Sequence, residues 1–556
     1  MNSVLFLVMR RMRRPLIMLI CAYAVAIGGL VLIPGEDDQG QLWHFDFFHA
    51  FYFISFVGPT IGLGEIPYAL VPAQRFWVSF SLYLTVISWL YAIGKIFSLV
   101  GEPAFVRALS ETRFRRSVHS LSEPFHLICG YGETGSLLVE ALCARGWRCV
   151  VIDSSSQRLD DLELAELPVD IPRLCANAGD TRVLIEAGLK HRYCHSVIAV
   201  TNSDAVNTKI AVTCKLLQPE RMVLCRADSA AAMENMASFN TDHIVNPHTI
   251  FAEQMALAIR KPHVNELHRW LGARAGKPLK PPLLPPTGRW IICGYGRLGQ
   301  AVRRYLDAND IDVTVIERDA SHFSDNNSAI QHRIIGSATD PEPLHEAGVE
   351  SCQGILAGTD SDADNLSIVL TARDINPDIY AVARQNHFRE RELFAAAKLP
   401  LVVDLNRILA WRMLPLATVP SLDEFLACCR SQEDDWAREL MDNLRALTGD
   451  TSPEVVHVPL WGQGSQGLCQ ALARRTVRLR DLGGHIDGET IPVIGLMLKR
   501  AEERSLLPDP ETELQPGQQL LLATVAHSAH RLEWLIKHSN HWGSAPRSHA
   551  LAAVSP

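Results

Sequence analysis

The chain has 556 residues, more than one hydrophobic core usually organises, so several domains are expected. Its net charge of −8 lacks the basic excess typical of nucleic-acid binding, so the sequence predicts no nucleic-acid partner. The 13 cysteines form no CxxC pair and no cysteine–histidine cluster with zinc-ligand spacing, which favours reduced, packed thiols in a cytosolic compartment.

The first predicted element is an uncharged apolar segment, residues 15–33. Its 19 residues would form a helix about 28 Å long, close to the ~30 Å hydrocarbon core of a bilayer. A cleaved signal peptide is the alternative, but its apolar core is usually about 7–15 residues long, and no small-residue cleavage site precedes PGEDD. We therefore expect an uncleaved membrane helix. A second span is predicted over residues 76–100, with Lys95 near enough to one end for its amine to reach the interface.

Charged residues around the two spans predict their orientation. The flanking arginines are Arg10, Arg11, Arg13 and Arg14 before the first span and Arg107, Arg113, Arg115 and Arg116 after the second. The acids between the spans are Glu36, Asp37, Asp38, Asp46 and Glu65, against Arg75 alone. Positive charge favours the cytoplasmic side, so we expect a multi-pass protein of a bacterial-type inner (plasma) membrane with both termini in the cytoplasm.

A short apolar and aromatic segment, residues 45–57, lies between the spans. Its 13 residues are too few to cross a bilayer, which is typical of a re-entrant helix. Pro59 is expected to exclude Gly58 from helical geometry and so to end this helix. The backbone that follows comprises Thr60, Ile61, Gly62, Leu63 and Gly64. Lipid cannot satisfy its carbonyl groups, so it must be buried in protein or line a watery cavity, unless it forms an ordinary glycine-rich turn.

The order of span, short aromatic helix, TxGxG, acid and span resembles the pore unit of potassium channels, over residues 15–100. In that family the main-chain oxygens of TxGxG and the threonine hydroxyl replace the water shell of a potassium ion. The resemblance implies that residues 60–64 form a selectivity filter and that four chains assemble as a homotetramer in lipid, with K⁺ as the permeant ion. The usual filter reads TVGYGD. Here Ile61, Leu63 and Glu65 replace its valine, tyrosine and aspartate, and TIGLGD loops occur in two-pore-domain potassium channels.

The rest of the chain contains two copies of one segment. The paired motifs are HLICGYGETG (126–135) with WIICGYGRLG (290–299), EAGL (186–189) with EAGV (346–349), and TNSDAVN (201–207) with TDSDADN (359–365). The offset between partners falls only from 164 to 158 along the chain. The sequence therefore predicts two copies of one domain.

Each copy has the pattern of a dinucleotide-binding unit: an apolar strand, GxGxxG, an amphipathic helix, and a second strand that ends in an acid. The glycines would make a tight turn (Gly130, Gly294), admit a pyrophosphate (Gly132, Gly296) and allow close helix–sheet packing (Gly135, Gly299). The acids, Asp153 and Glu317, each follow the last glycine by 18 residues. They would accept hydrogen bonds from ribose hydroxyls and repel a 2′-phosphate, which favours NAD, ADP, ATP or AMP over NADP. The alternative is that the glycines serve packing and the sites are empty.

Together the copies resemble RCK domains (regulators of potassium conductance) and the nucleotide-binding subunits of potassium uptake systems. The cofactor-binding residues predicted from pattern and resemblance, besides the glycines and acids, are Glu133, Thr134, Asp180, Thr201, Asn202, Asp204 and Arg226 in the first copy and Arg297, Leu298, Arg318 and Arg384 in the second. Each of the residues after the third, fourth and fifth strands could equally be a surface polar residue. Gly336 and Ser337 are paired with Gly179 and Asp180, so the second copy is expected to lack the acid at that position.

The predicted fold class is a membrane α-helical pore domain with two spans, a re-entrant pore helix and a filter, followed by two α/β Rossmann-like RCK domains and a small α+β C-terminal lobe. The predicted order is pore domain 1–100, linker 101–123, first RCK domain 124–262, proline-rich linker 263–287, second RCK domain 288–420, helical connector 421–454, TrkA-C-like lobe 455–530 and tail 531–556.

The function implied by these resemblances is a potassium channel gated by cytoplasmic ligands that bind a ring of RCK domains. The regulatory ligand would be an adenine nucleotide, and Ca²⁺ could bind at the carboxylates of residues 359–364, although these lack EF-hand spacing. A regulatory subunit of a separate cation transporter is one alternative. A membrane-anchored NAD-dependent dehydrogenase is another, but no substrate domain and no catalytic His/Lys/Tyr group is recognisable, so no enzyme activity is expected.

Overall fold

The structure is a computed structural model that describes residues 2–59, 61, 68–100, 103–279, 281–323, 332–483, 485–486 and 489–538. The chain divides into two compact units, Met1–Ser120 and Leu121–Pro556.

The first unit is helical over most of its described residues. Its elements are α1 (Asn2–Leu32), β1 (Gly35–Glu36), β2 (Leu42–Trp43), α2 (Phe47–Val57), α3 (Pro72–Val100) and α4 (Pro103–His119). Two stretches are long and apolar enough to cross a membrane, Met12–Leu32 in α1 and Pro72–Ser98 in α3. The two predicted spans are thus helices of the required length and composition.

The short helix predicted between the spans is α2. It begins after Asp46, whose carboxylate accepts a hydrogen bond from the His49 backbone N–H at 2.7 Å, as a helix N-cap does. The prediction that Gly58 leaves helical geometry was wrong, because its φ of −58° and ψ of −51° are helical and its N–H donates to the Ile54 carbonyl at 2.9 Å. Glycine has no Cβ, and its absence relieves part of the clash that Pro59 imposes on the residue before it.

Helices α1 and α3 pack against each other, and polar side chains of α3 reach the backbone of the segment opposite. The Trp77 indole N–H donates to the Ala26 carbonyl at 3.1 Å, and Gln74 Nε2 donates to the Ile33 carbonyl at 3.2 Å. A Cβ on Gly29 would lie 2.0 Å from the Trp77 ring, so this glycine allows the close approach. The small core is completed by buried side chains of α2, including Ile54.

The second unit contains both repeats and the C-terminal lobe. The first repeat comprises β3 (Phe125–Cys129), α5 (Glu133–Cys143), β4 (Arg148–Asp153), α6 (Ser156–Leu164), β5 (Arg173–Cys175), α7 (Thr181–Glu186), β6 (Cys194–Ala199), α8 (Asp204–Leu217), β7 (Met222–Arg226), α9 (Ala230–Ser238), β8 (His243–Val245), α10 (Pro247–Arg260) and α11 (Pro262–Leu271). The second comprises β9 (Trp290–Cys293), α12 (Arg297–Asp307), β10 (Val313–Glu317), β11 (Arg333–Ile335), α13 (Pro341–Glu346), β12 (Gly354–Ala357), α14 (Asp362–Ile375), β13 (Tyr380–Gln385), α15 (Arg391–Ala396), β14 (Leu401–Asp404) and α16 (Leu405–Thr418).

Each repeat folds as a six-stranded parallel sheet with helices between its strands. The strand orders are β5-β4-β3-β6-β7-β8 and β11-β10-β9-β12-β13-β14. In both sheets the chain first adds strands on one side of the first strand and then on its other side. This is the doubly wound order of dinucleotide-binding folds, and ligands of such folds lie where the strand order switches. The predicted pair of Rossmann-like domains is confirmed.

One helix from each repeat, α10 of the first and α16 of the second, packs on the other repeat. Leu409 and Met413 of α16 are fully buried in the core of the first repeat, in the same cluster as Leu142 of α5. Phe251 and Met255 of α10 are likewise buried in the core of the second repeat. The two repeats therefore exchange helices and share their cores.

The C-terminal lobe is built on an antiparallel sheet. Its elements and the helices before it are α17 (Pro420–Arg430), α18 (Asp434–Thr448), β15 (Glu454–Pro459), α19 (Gln466–Arg474), β16 (His485–Ile486), β17 (Glu489–Thr490), β18 (Val493–Arg500), β19 (Glu503–Leu506), β20 (Gln519–Thr524) and α20 (Ala529–Lys537). The sheet order is β15-β20-β18-β19, so the predicted α+β composition is confirmed. The segment predicted as a linker, residues 263–287, begins in a packed helix. This helix, α11, buries Val264, Leu267 and Trp270 in a core shared with α17 and α18.

Candidate nucleotide sites and pore loop

A glycine-rich turn joins β3 to α5 in the first repeat. Gly130 has φ of +104°, a conformation that L side chains rarely adopt. A Cβ on Gly135 would lie 2.0 Å from the Gly130 carbonyl oxygen, so only glycine fits at position 135 of this turn. A Cβ on Gly132 would meet nothing closer than the Arg158 guanidinium at 3.9 Å, so a ligand can approach the backbone there.

The second repeat has the same turn between β9 and α12. Gly294 has φ of +95°, and a Cβ on Gly299 would lie 2.1 Å from the Gly294 carbonyl oxygen. Gly296 has open space where its side chain would be. Both turns thus leave the middle glycine accessible at the start of a helix, where backbone N–H groups and the helix dipole favour phosphate.

The acid at the end of the second strand holds this turn in each repeat. Asp153 is 4% exposed, and its carboxylate accepts backbone N–H bonds from Tyr131 at 2.6 Å and Ser155 at 2.7 Å. Glu317 accepts the corresponding bonds from Tyr295 at 2.5 Å and from Asp319 at 2.9 Å. A carboxylate has about four acceptor positions, so these bonds leave capacity for ribose hydroxyls.

The pKa of Glu317 reflects these contacts. Burial alone would raise it, but the N–H groups of Asp319 and Tyr295 and the His322 ring outweigh burial, so the pKa of Glu317 is lowered. The carboxylate is therefore ionised at neutral pH and remains an acceptor.

Sequence reasoning missed a basic residue type, an arginine or a histidine, beside each acid. Arg158 Nη1 lies 3.5 Å from Asp153 Oδ2, and the guanidinium also faces the open side of Gly132. In the second repeat His322 Nδ1 lies 3.3 Å from Glu317 Oε2. The signal was present, because each basic residue follows its acid by five positions in both repeats.

The predicted contact Thr201 is engaged in a clamp that joins two strand ends. Its hydroxyl donates to Asn207 Oδ1 at 2.7 Å, and Asn207 Nδ2 donates to the carbonyls of Thr201 and Arg226, both at 3.0 Å. Thr359 and Asn365 repeat this arrangement in the second repeat. Sequence reasoning missed the two asparagines, although each ends a repeated motif.

Asp180 is a helix cap in the structure. Its carboxylate accepts from the Arg182 backbone N–H at 2.9 Å at the start of α7. The prediction that the second repeat lacks this acid was wrong, because Asp340 occupies the N-cap of α13. The Asp180 backbone N–H donates to the Asn177 carbonyl, and the Asp340 backbone N–H donates to the Ser337 carbonyl, both at 3.0 Å. Ser337 therefore corresponds to Asn177, not to Asp180.

Asp204 also serves the fold. Its carboxylate accepts the backbone N–H groups of Asp228 at 2.9 Å and Ser229 at 3.0 Å, and so ties α8 to the segment after β7. Asp362 binds the equivalent backbone in the second repeat, from Asn386 at 2.6 Å and His387 at 3.0 Å.

The predicted phosphate-binding arginines are paired with carboxylates. Arg226 makes a bidentate contact with Asp228, at 2.9 Å for both bonds, and its Nη1 lies 3.3 Å from Asn202 Oδ1. Burial alone would raise the pKa of Asp228, but the Arg226 guanidinium outweighs it and the pKa is lowered. Arg384 contacts Asp360 at 2.6 Å. A phosphate would have to share each guanidinium with its carboxylate or displace that carboxylate.

The first residue of each glycine-loop helix reaches across to the other repeat. Arg297 Nη1 lies 3.3 Å from Asp228 Oδ2. Glu133 accepts from the Phe388 backbone N–H at 3.2 Å and from Asn406 Nδ2 at 2.7 Å. These two predicted ligand contacts are therefore contacts between repeats, so each glycine loop is physically linked to the other sheet's edge.

The remaining loop residues have different environments. Thr134 donates from its hydroxyl to Asn406 Oδ1 at 3.0 Å, again between repeats. Leu298 is 1% exposed in the core of the second repeat. Arg318 is largely exposed, with Nη2 3.1 Å from Ser337 Oγ and 3.6 Å from Asp364 Oδ2.

The predicted calcium region, residues 359–364, is already engaged. Asp360 pairs with Arg384, and Asp362 accepts backbone N–H groups such as that of Asn386. Within the part of the chain that the structure describes, no group of three or more His, Cys, Asp or Glu side chains could hold a metal ion. The geometry of these residues gives the calcium expectation no support.

Most of the predicted filter lies outside the described residues. This applies to Thr60, Gly62, Leu63 and Gly64. Ile61 is described, and its backbone N–H donates to the Phe56 carbonyl at 2.9 Å, which turns the chain back onto the end of α2.

Comparison with known families identifies the two repeats. The TrkA-N domain matches this chain twice, over residues 126–247 and 290–404. The chain therefore carries two TrkA-N domains, in the segments where the sequence predicted RCK domains.

Curated relatives include two potassium channel proteins of Methanocaldococcus jannaschii. "Probable potassium channel protein 2" is 26% identical over 256 residues, which are 45% of this chain and 66% of the relative. "Potassium channel protein 1" is 28% identical over 151 residues, which are 27% of this chain and 45% of the relative. The chain thus spans slightly less than two thirds of the first relative and less than half of the second.

A solved structure described as "GsuK Channel" shares the fold. Its TM-score is 0.50 at 18% sequence identity, and the match covers 96% of this chain and 99% of that one. This likeness supports the predicted combination of membrane helices and tandem Rossmann-like domains in one chain.

Proposed function

We propose that this tandem TrkA-N protein, a sequence relative of potassium channel proteins, is itself a potassium channel subunit gated by an adenine nucleotide. The observation that carries the proposal is the combination in one chain of two membrane-length helices, a short helix that ends at a TxGxG motif, and two dinucleotide-type folds. Each part has a physical role in gated permeation.

The pore would form from four copies of the first unit in a lipid bilayer. Four chains would bring residues 60–64 together around one axis, where their carbonyl oxygens replace the water shell of K⁺. The arginines beyond the two spans favour a cytoplasmic side for both termini, so the TrkA-N domains would lie in the cytoplasm of a cell bounded by a bacterial-type plasma membrane.

The regulatory ligand would bind at the glycine loops. The open backbone at Gly132 or Gly296 would receive phosphates, with Arg158 adjacent in the first repeat. The acids Asp153 and Glu317 would accept hydrogen bonds from ribose hydroxyls and disfavour a 2′-phosphate. NAD, ADP, ATP and AMP share the required adenosine diphosphate or monophosphate chemistry.

Gating would be a shift between closed and open populations. A nucleotide shifts that equilibrium by the difference between its affinities for the two states. Four sites, each about tenfold selective, would supply roughly 5.5 kcal/mol, enough to turn a mostly closed population mostly open or the reverse. The ring of TrkA-N domains would transmit this free energy through residues 101–123 to the second span.

The proposal is tested with purified protein in liposomes. We expect K⁺ or Rb⁺ flux that changes on addition of an adenine nucleotide, and we expect Gly62→Ala to abolish flux while nucleotide binding persists. Gly28→Ala is a matched control in the same unit, because a Cβ there meets nothing within 4 Å. Normal flux in Gly62→Ala would remove the filter from this loop.

Two other outcomes would point to other functions. Nucleotide binding without flux under any condition would favour a regulatory subunit of a separate transporter. Reduction of bound NAD on addition of candidate substrates would favour a dehydrogenase, although each TrkA-N domain here is followed by its repeat or by the small lobe rather than by a substrate domain.

A further inference from the structure

One of the hydrogen bonds between the two membrane-length helices lies at the end of α2. The Trp89 indole N–H of α3 donates to the Tyr23 hydroxyl of α1 at 3.1 Å. These residues are 66 positions apart in the chain, so the bond is a tertiary contact that fixes one helix against the other.

The Tyr23 hydroxyl also lies directly against Gly58, at the end of α2. A Cβ on Gly58 would lie 2.4 Å from Tyr23 Oη and 2.9 Å from Tyr23 Cζ. The lack of a Cβ eases the helical geometry of Gly58 before Pro59. Glycine has a second role here, because the tyrosine occupies the space that a side chain would fill.

The segment that Tyr23 contacts leads straight into the predicted filter. Gly58 donates its N–H to the Ile54 carbonyl, and Ile61 donates its N–H to the Phe56 carbonyl, both at 2.9 Å. The last turn of α2 and the second residue of the filter motif are thus tied by backbone hydrogen bonds. A displacement of Gly58 would be passed to Ile61 within three residues.

The surroundings of this contact are apolar. Tyr23 and Trp89 line an open groove of about 750 Å³ with Ile27, Phe47 and Phe51. The bond is open to the surroundings of the protein, which for this unit would be a bilayer, and hydrogen bonds are stronger where little water competes for the donor and acceptor. Removal of one partner leaves the other polar group unpaired there, which costs more than the bond itself contributes.

We propose that Tyr23 and Trp89 form a brace that positions the end of α2 and the start of the filter, and that this brace contributes to K⁺ selectivity. The proposal rests on the proposed channel function. Both are positioning residues: Trp89 orients the Tyr23 hydroxyl, the hydroxyl restrains Gly58, and Gly58 sets the point from which residues 60–64 begin.

The test removes the hydrogen bond in two ways: Tyr23→Phe deletes only the hydroxyl, and Trp89→Phe also shortens the ring, a loss that the control variant below matches. Tyr23→Phe and Trp89→Phe are each expected to lower the ratio of K⁺ to Na⁺ permeability in liposomes by about 2- to 10-fold, as loss of one such bond implies. The double variant should be no worse than the poorer single variant, because one bond is lost in all three proteins.

Trp77→Phe is the matched control. It removes an indole N–H that donates to the Ala26 carbonyl between the same two helices. The atoms nearest to a Cβ on Gly58 belong to Tyr23 and Ile54, not to Trp77. The permeability ratio of this variant should equal that of the unsubstituted protein. Equal ratios in all variants, or an equal fall in Trp77→Phe, would overturn the brace.

A second measurement does not depend on conduction. Hydrogen exchange at the Gly58 and Ile61 amides should be about 2- to 10-fold faster in Tyr23→Phe and Trp89→Phe than in Trp77→Phe. Equal exchange would overturn the brace even in a conducting protein. If the unsubstituted protein conducts nothing while exchange responds as expected, the channel function fails and the brace stands as a structural element of this unit.

Discussion

Asp153 and Glu317 combine two tasks at the residue scale. Each holds the turn of its glycine loop through backbone N–H groups, and each is placed to accept hydrogen bonds from a ribose. A substitution therefore affects the loop and the ligand together, and the size of the effect reports whether that repeat is occupied.

The first prediction compares the two acids. Asp153→Asn leaves one accepting oxygen and turns an NH₂ toward backbone donors, so ADP affinity should fall about 10- to 100-fold if the first repeat binds it. Glu317→Gln is the matched change in the second repeat. Calorimetry of ADP binding to the full-length variants measures both. Unchanged affinity in both variants would show that the acids are structural only.

The second prediction concerns Arg158, which lies near the open side of Gly132. Arg158→Gln should weaken ADP binding about tenfold and leave adenosine binding unchanged, because the lost contact is to phosphate. His322→Gln is the matched variant of the second repeat. Isothermal titration measures the affinity for ADP and for adenosine. An equal fall in both affinities, or no fall in either, would contradict this role.

Sequence patterns predicted the positions of the glycines and acids. They did not predict which residues the other side chains of the glycine loops contact. The spacing of GxGxxG and the acid follows from a local strand–turn–helix–strand unit, so it is readable in one segment. Glu133, Arg297 and Thr134 instead contact residues more than 60 positions away in the other repeat. Such pairings depend on how two domains dock, which local patterns do not encode.

The exchanged helices are the main feature at the scale of elements. Both α10 and α16 bury apolar side chains in the repeat to which they do not belong by sequence. Hydrophobic periodicity predicts that an apolar face is buried but does not say against what. For the same reason the sequence assigned the start of α11 to a linker.

The third prediction tests this exchange. Leu409 belongs to α16 of the second repeat but lies fully buried in the core of the first. Leu409→Ala should lower the free energy of unfolding by about 2–5 kcal/mol and speed hydrogen exchange in β3 and α5. Leu370→Ala is the control, since that side chain is 59% exposed on α14. Faster exchange confined to the second repeat would contradict the shared core.

Buried histidines shape the pH dependence of the whole molecule. Burial lowers the pKa of His126 to about 3 and of His268 to about 3. Burial, with Arg297, Arg384 and Arg226 nearby, lowers that of His248 to about 4 although Asp228 opposes it. The unfolded chain binds these protons near pH 6.5 and the folded chain does not, so the stabilisation is complete above pH 6.5 and is lost as pH falls toward 4.

The fourth prediction follows from that sign. Urea unfolding should show lower stability at pH 5 than at pH 7, by on the order of 1 kcal/mol for each of these histidines. His268→Gln removes one titrating group, so this variant should lose less stability between the two pH values. An identical loss in the variant and the unsubstituted protein would contradict the assignment to His268.

The overall architecture was more predictable than the contacts within it. Membrane-length helices, a repeated α/β unit and an α+β lobe each leave a periodic or repeated signal within a short segment. The helical conformation of Gly58 escaped prediction because the usual restriction before proline depends on a Cβ that glycine lacks.

Current through a planar bilayer tests the central claim most directly. Purified protein between asymmetric KCl solutions should carry a current that reverses near the K⁺ equilibrium potential and whose open fraction changes when ADP or NAD reaches the TrkA-N domains. Protein that binds nucleotide but carries no K⁺ current, or a current that ignores every adenine nucleotide, would contradict the account.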